Sequence, residues 1–164
     1  MTEDIRPTLH PNAQKVAAAL AAMDVRGEVR ELNDAARTAE EAAALLDIEV
    51  GAVCNSLIFD ADGAPLLVLT SGAHRADTAV LATLTGSARV RRATPDFVRT
   101  VTGQPIGGVS PVGHPTPIHT IVDISLNDHE AVWAAGGHPH YVFPTTYAEL
   151  LRITGGTAAV VSST

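Results

Sequence analysis

Residues 103–114 constrain the fold of this chain more than any other segment, because they can form neither a helix nor an ordinary strand. They read Gly-Gln-Pro-Ile-Gly-Gly-Val-Ser-Pro-Val-Gly-His, with four glycines and two prolines in twelve residues. Glycine adopts backbone angles that are costly for other residues, while proline fixes φ and lacks an N–H donor. We therefore predict a shaped loop whose amides at residues 107–110 point together at one acceptor, such as a carbonyl, a carboxylate or a phosphate. A pair of tight turns that binds nothing is the alternative.

A second glycine-rich element, Gly136-Gly137-His138-Pro139-His140, is expected to form the opposite rim of the same site. His138 and His140 are two residues apart, and the chain has seven histidines, which raises the question of a zinc site. No HExxH or CxxC motif and no suitably spaced carboxylate accompanies them. The sequence therefore predicts no metal.

The composition is that of a globular protein. Of the 164 residues, 46% are hydrophobic and 18% are charged, and we expect one domain spanning residues 1–164. No apolar run approaches the roughly 20 residues that cross a bilayer. The N-terminal residues are polar and Cys54 is the single cysteine, so we expect a cytoplasmic protein without a disulfide.

The formal net charge of −7 argues against a general nucleic-acid binder, although it allows a protein that holds only the end of a nucleic acid. Positive charge is concentrated in Arg89, Arg91, Arg92 and Arg99, with Arg75 upstream. This cluster is either a solvated face or a contact surface for such an end.

Helix caps and alternating hydrophobic residues predict helices and strands that intermix without strict βαβ alternation. We expect an α/β fold of the α+β type, in which helices flank a mixed sheet. The predicted helices cover about 11–27, 38–46, 77–84, 94–103, 128–134 and 146–155. The predicted strands cover 28–32, 53–59, 65–70, 89–92, 118–123, 140–143 and 158–161.

The sequence offers no clear protein nucleophile. Cys54 lies in the 53–59 strand with no identifiable partner, which is typical of a buried thiol. Ser110 is not in a GxSxG motif, and it is expected to contribute its amide and its hydroxyl to binding. A pocket of backbone donors can still hydrolyse an activated ester by positioning water and stabilising the oxyanion.

Taken in order, these elements resemble the YbaK/prolyl-tRNA-synthetase-associated family of editing domains, over about residues 10–156. The family's glycine-x-x-x-proline loop matches Gly107 to Pro111, and the segments Gly136-Gly137-His138, Val142-Phe143 and 146–150 are similarly family-like. The resemblance implies a curved, mixed sheet flanked by helices. It also implies hydrolysis of the ester of mischarged tRNA, with the aminoacyl-tRNA 3′ end as partner, possible association with a synthetase, and no metal or cofactor.

The resemblance also assigns expected roles to residues. The catalytic set is Asn55, Gly107, Gly108 and His138, and the substrate-binding set is Ser56, Val109, Ser110, Pro111, His114 and Gly137. Arg89, Arg91 and Arg92 are expected to contact the acceptor stem, an expectation that rests on their charge.

The sequence departs from the family at one position. Members carry a lysine in a lysine-Thr/Asn-Leu setting on the first hairpin strand, where this chain reads Asn55-Ser56-Leu57. Asparagine keeps a donor and an acceptor but supplies no cation. The alternative function is therefore a non-catalytic module that binds aminoacyl-adenosine, the tRNA 3′ end or a small ligand. Asn55 is alternatively a buried residue that only satisfies a neighbouring backbone group.

Overall fold

The computed structural model describes residues 9–162. In this part of the chain, five α-helices flank eight β-strands in one mixed sheet, which confirms the predicted fold class. The helices are α1 (Pro11–Ala22), α2 (Ala39–Leu46), α3 (Thr78–Thr85), α4 (Pro95–Thr102) and α5 (Tyr147–Thr154). The strands are β1 (Arg30–Glu31), β2 (Val53–Ala61), β3 (Ala64–Ser71), β4 (Val90–Arg92), β5 (His119–Asp123), β6 (Val132–Ala135), β7 (Tyr141–Thr145) and β8 (Thr157–Ala159).

The sheet is built around the β2–β3 hairpin. Its strand order is β1-β7-β6-β2-β3-β5-β8, and β4 pairs with β2 outside this path. The β2–β6, β3–β5 and β5–β8 pairs are parallel, while the β1–β7, β6–β7, β2–β3 and β2–β4 pairs are antiparallel. Strand β2 therefore has β3 on one side and two different strands, β6 and β4, on the other.

The helix boundaries follow local capping chemistry. The side chains of Thr38, Asp77, Thr94 and Thr146 each accept a hydrogen bond from a backbone N–H of the first helical turn. Helices α3, α4 and α5 end at glycines with left-handed backbone angles. Helix α1 ends at Ala22, earlier than the predicted end near Gly27, and Asp24 just beyond it has a φ of 58°.

The helix predicted over 128–134 is wrong. A 3-10 turn (Ile124–Asp128) is followed there by strand β6, which pairs with β2 on one side and with β7 on the other. Local preference favoured a helix, but ladder bonds to two strands distant in sequence determine the observed conformation.

The two faces of the sheet bury different side chains. On one face, Ile58 and Leu67 of the hairpin pack with Val16 and Leu20 of α1 and with Val109 of the 103–114 loop. On the other face, Phe59, Leu66 and Val68 pack with Leu81 of α3, and a smaller cluster joins Val53 to α2. Within residues 9–162, no helix has the length and apolar character that a bilayer crossing needs.

Candidate functional site

A groove of about 1070 Å³ runs along β2 at the point where the sheet opens. The β6 ladder ends at Cys54, and the β4 ladder begins at Phe59. Between these two residues, no strand in the described part of the chain pairs with β2 on that side. The groove thus passes through a gap in the sheet, which explains why side chains from both faces line it.

Asn55 and Ser56 line this groove, together with Gly107 and Val109 of the glycine-proline loop. Asn55 is half-buried and lies opposite Thr70 in the β2–β3 register. The hydroxyl oxygens of Ser56 and Thr70 are buried and have no hydrogen-bond partner among the described residues. Unsatisfied buried hydroxyls are uncommon in folded proteins.

Two of the four loop amides expected to face a ligand are used inside the protein. The Gly108 N–H donates to the Pro105 carbonyl oxygen (3.0 Å), and the Ser110 N–H donates to Gln104 Oε1 (2.7 Å). The expectation that Ser110 offers its amide is therefore corrected, and its side chain is fully buried. The amides of Gly107 and Val109 have no partner within residues 9–162, and these two remain for a ligand.

Gln104 is the residue that shapes the loop from inside. Its side chain is 2% exposed, accepts from Ser110 and donates from Nε2 to the Val112 carbonyl oxygen at 3.4 Å. The backbone N–H of Gln104 donates to Thr102 Oγ1 at 2.9 Å. Sequence analysis did not single out Gln104, because nothing local distinguishes it from a solvated glutamine.

Gly108 serves close packing. A Cβ at this position would lie 2.6 Å from the Cα and 2.7 Å from the carbonyl carbon of His138. The two glycine-rich elements therefore contact each other directly. Gly137, with a φ of 96°, also packs closely, since a Cβ there would lie 2.9 Å from the Asn12 carbonyl oxygen.

His138 belongs to a cluster of aromatic rings behind the loop and is not among the residues that line the groove. Its ring centroid lies 4.4 Å from that of His10, 5.6 Å from that of His140 and 5.7 Å from that of Tyr141. Partial burial, and then the nearby charges of His10, His140 and Arg37, lower the pKa of His138. The structure places the main chain of His138 against the loop, and the expected catalytic role of His138 stays a prediction.

Pro111 and His114 also lie away from the groove. Pro111 is buried, and His114 lines a separate hollow of about 450 Å³ together with Lys15 and Gln104. The His114 Nε2–H donates to the Ser110 carbonyl oxygen at 2.7 Å, and burial lowers its pKa. Lys15, the single lysine of the chain, therefore does not line the groove where the family lysine is expected.

The thiol of Cys54 is not a plausible nucleophile. Burial, and then the negative charge of Asp123, raise the pKa of this thiol well above its usual range. Asp123 is itself held by the backbone N–H groups of Ser71 (3.0 Å) and Ser125 (2.9 Å). In the described part of the chain, no three His, Cys, Asp or Glu side chains lie close enough to share a metal ion.

Of the three arginines that were predicted to contact the acceptor stem, only Arg92 lines the groove. Arg91 lies on the same strand but pairs with Asp60 at 3.3 Å, and Arg89 is an exposed residue outside the lining. Arg37, His74 and Arg75 line the groove as well. Arg75 had been noted only as part of a charge cluster, and Arg37 and His74 carried no local signal, since tertiary packing brings them together.

The fold and the groove define the class: a mixed-sheet α/β domain whose binding groove combines backbone amide donors with basic side chains. The model of the aminoacyl-tRNA editing domain matches residues 33–153. The chain belongs to this family.

Known relatives agree with this assignment. The proline–tRNA ligase of Nitratidesulfovibrio vulgaris strain DP4 is 31% identical over 128 residues, which are 78% of this chain and 21% of the ligase. The proline–tRNA ligase of Geobacter sulfurreducens is 30% identical over 74% of this chain and 23% of the ligase. The chain thus spans about a fifth of the length of these curated relatives. A crystal structure of a candidate trans-editing enzyme for prolyl-tRNA synthetase superposes with a TM-score of 0.90, at 40% identity over 96% of this chain and 100% of the other.

Proposed function

We propose that this protein is an aminoacyl-tRNA deacylase that hydrolyses the ester of mischarged tRNA. The observation that carries the proposal is the groove, which Asn55 and Ser56 line together with the unpartnered amides of Gly107 and Val109. Membership in the editing-domain family supports aminoacyl-tRNA as substrate. Relatives that are proline–tRNA ligases support a link with a synthetase.

In the proposed reaction, the amides of Gly107 and Val109 donate hydrogen bonds to the carbonyl oxygen of the aminoacyl ester. Water attacks the carbonyl carbon, and the same amides stabilise the negative charge that develops on the oxygen. The bond between the carbonyl carbon and the ribose oxygen then breaks, and that oxygen takes a proton. The products are a free amino acid and a tRNA with a free terminal hydroxyl.

Water must lose a proton during this reaction. His74 is the histidine that lines the groove, and imidazole is suited to accept a proton near neutral pH. We therefore assign His74 as the water-activating group. His138 is assigned an indirect role, in which its main chain holds Gly108 and thereby the loop.

Asn55 favours a second candidate, a non-catalytic binding module. The basic side chains that line the groove are those of arginines and of His74, and the single lysine lies elsewhere. Such a module would hold the aminoacyl end and leave its ester bond intact.

The two candidates are separated by incubating the purified protein with a panel of mischarged tRNAs, with correctly charged tRNAs as controls. The deacylase should release amino acid from at least one mischarged tRNA at a rate clearly above spontaneous hydrolysis. Saturable binding of charged tRNA without any release would favour the module. Absence of both binding and release across the panel would contradict both candidates.

A further inference from the structure

The gap in the sheet leaves the main chain of one residue unpaired. The Val53 carbonyl oxygen accepts from Gly72 on the β3 side of the hairpin, whereas the Ile58 carbonyl oxygen accepts from Ala93 on the β4 side. Main-chain groups of successive residues in a strand point to alternate sides. The N–H and C=O of Ser56 therefore point away from β3 and into the gap.

No strand in the described part of the chain completes this ladder. The last β6 pair on this side is Cys54 with Ala134, and the first β4 pair is Phe59 with Arg92. Because Ser56 lies between them, its N–H and its C=O both face the groove. The Ser56 hydroxyl is also buried without a partner.

The open stretch is short. Residues 55–57 span about 10 Å at the usual rise of about 3.3 Å per residue, because the Ile58 C=O already accepts from Ala93, and strands flank both ends. A peptide that added a full strand would collide with β4 or β6. The gap instead matches a single residue that offers one donor and one acceptor.

An aminoacyl ester is such a residue. Its α-amino group is a donor and its carbonyl oxygen is an acceptor, at the spacing of one residue in a strand. We propose that Ser56 recognises the aminoacyl group of the substrate through its main chain, by pairing with it as a neighbouring strand residue would. The Ser56 C=O accepts from the α-ammonium group, and the Ser56 N–H donates to the carbonyl oxygen.

This inference rests on the proposed substrate and deepens it. The carbonyl oxygen has two lone pairs, so it can accept from Ser56 on one side and from one loop amide on the other, and the second loop amide has a lone pair to bind once the oxyanion forms. The site would thus require an N–H donor on the α-nitrogen of the substrate and no acyl group beyond it, because the gap has room for a single residue, whatever the amino-acid side chain. Recognition through the main chain does not depend on the missing lysine.

The test uses binding of stable analogues, measured by isothermal titration calorimetry with the full chain. The ligands are 3′-(L-alanylamino)-3′-deoxyadenosine, its N-acetyl derivative and the propionyl analogue that lacks the amino group. Alanine is chosen because its small side chain is least affected by pocket shape. We expect the alanyl compound to bind at least about tenfold more tightly than the other two, and the Ser56→Ala variant to keep its affinity within about threefold.

Each other outcome overturns the inference in a distinguishable way. Equal affinity of the three ligands would refute main-chain recognition while leaving the proposed substrate intact. A large loss in Ser56→Ala would assign recognition to the hydroxyl instead. Failure of all three to bind, with no deacylation of the tRNA panel, would refute the proposed function together with the inference. If a short extended peptide bound more tightly than any adenosine ligand, the open edge of β2 would be a binding site for a peptide strand instead.

Discussion

The main chain of His138 lies so close to Gly108 that the position has no room for a Cβ, which would come within 2.6 Å of the His138 Cα. The 103–114 loop and the histidine-rich element are therefore fixed relative to each other by backbone contact. This contact connects the stability of the histidine cluster to the shape of the groove, because the amides of Gly107 and Val109 flank Gly108.

A Gly108→Ala substitution should displace the loop. Overpacking against backbone typically costs about 1–3 kcal/mol, so we expect a loss of this size in the free energy of unfolding by urea, together with weaker ligand binding. Gly103→Ala is the matched control, since Gly103 has a φ of 73° but open space around its Cβ position. It should lose stability through backbone strain while keeping the affinity for the adenosine ligand. Equal affinity in both variants would contradict the packing role of Gly108.

Gln104→Leu should destabilise the loop from inside. The change removes the acceptor of the buried Ser110 amide and the donor to the Val112 carbonyl, and an unsatisfied buried group costs about 1–3 kcal/mol. Gln14→Leu provides the comparison, because Gln14 is exposed although its side chain also donates to a backbone carbonyl. Urea unfolding of both variants measures the difference, and a Gln104 variant as stable as the Gln14 variant would show that Gln104 does not support the loop.

Acidification should destabilise the protein through the histidine cluster. The pKa of His138 is lowered in the folded state, so folding favours its neutral form. The resulting contribution of His138 to the free energy of unfolding is fully present above the unfolded pKa of about 6.5. It is lost as the pH falls below that value. His138 Nδ1 accepts from the His140 N–H at 3.2 Å, and protonation of that nitrogen breaks the bond.

We therefore expect the free energy of unfolding to decline between pH 7.5 and pH 5.5. His138→Asn keeps an acceptor without a titrating ring and should flatten this decline. His114, whose pKa is also lowered, contributes with the same sign. The exposed residue His119 gives the control variant, His119→Asn, whose pH profile should match that of the unmodified chain. If the pH profile of His138→Asn were unchanged, the histidine cluster would not be the cause of the loss of stability at low pH.

An Asn55→Lys substitution should increase deacylation if the groove keeps the rest of the catalytic arrangement. A charge-assisted hydrogen bond to the substrate that strengthens in the transition state would raise kcat/KM by about tenfold or more. Asn55→Met, of similar length and without charge, is the control. Both variants are assayed on the tRNA that the unmodified chain deacylates fastest. A rate increase in Asn55→Met as well would mean that side-chain volume, rather than charge, limits the reaction.

Arg92 and Arg91 should differ in their contribution to tRNA binding. Arg92 lines the groove, whereas Arg91 pairs with Asp60 at 3.3 Å. The logarithm of the binding constant falls linearly with the logarithm of the salt concentration, and each contact with a single-stranded phosphate adds about 0.7 to the steepness of that slope. Arg92→Ala should therefore lower that slope by about 0.7, and Arg91→Ala should leave it nearly unchanged. Equal slopes for the two variants would place the tRNA end elsewhere.

Local signals in the sequence were sufficient for much of the fold. Thr38, Asp77, Thr94 and Thr146 cap helices because their side chains bond to amides two or three residues away. The β2–β3 hairpin follows equally from alternation around a short turn. Such interactions depend on neighbours in the chain, so they can be predicted without the tertiary structure.

The sequence by itself determined that residues 103–114 form a glycine-proline loop and that the fold is a mixed α/β one. Only the tertiary structure decided that β6 is a strand, that Gln104 takes the Ser110 amide, and that a gap between β4 and β6 exposes the main chain of Ser56. The reason is physical. Whether a backbone amide is free for a ligand depends on whether the folded loop brings an acceptor to it, and no local pattern of residues encodes that outcome.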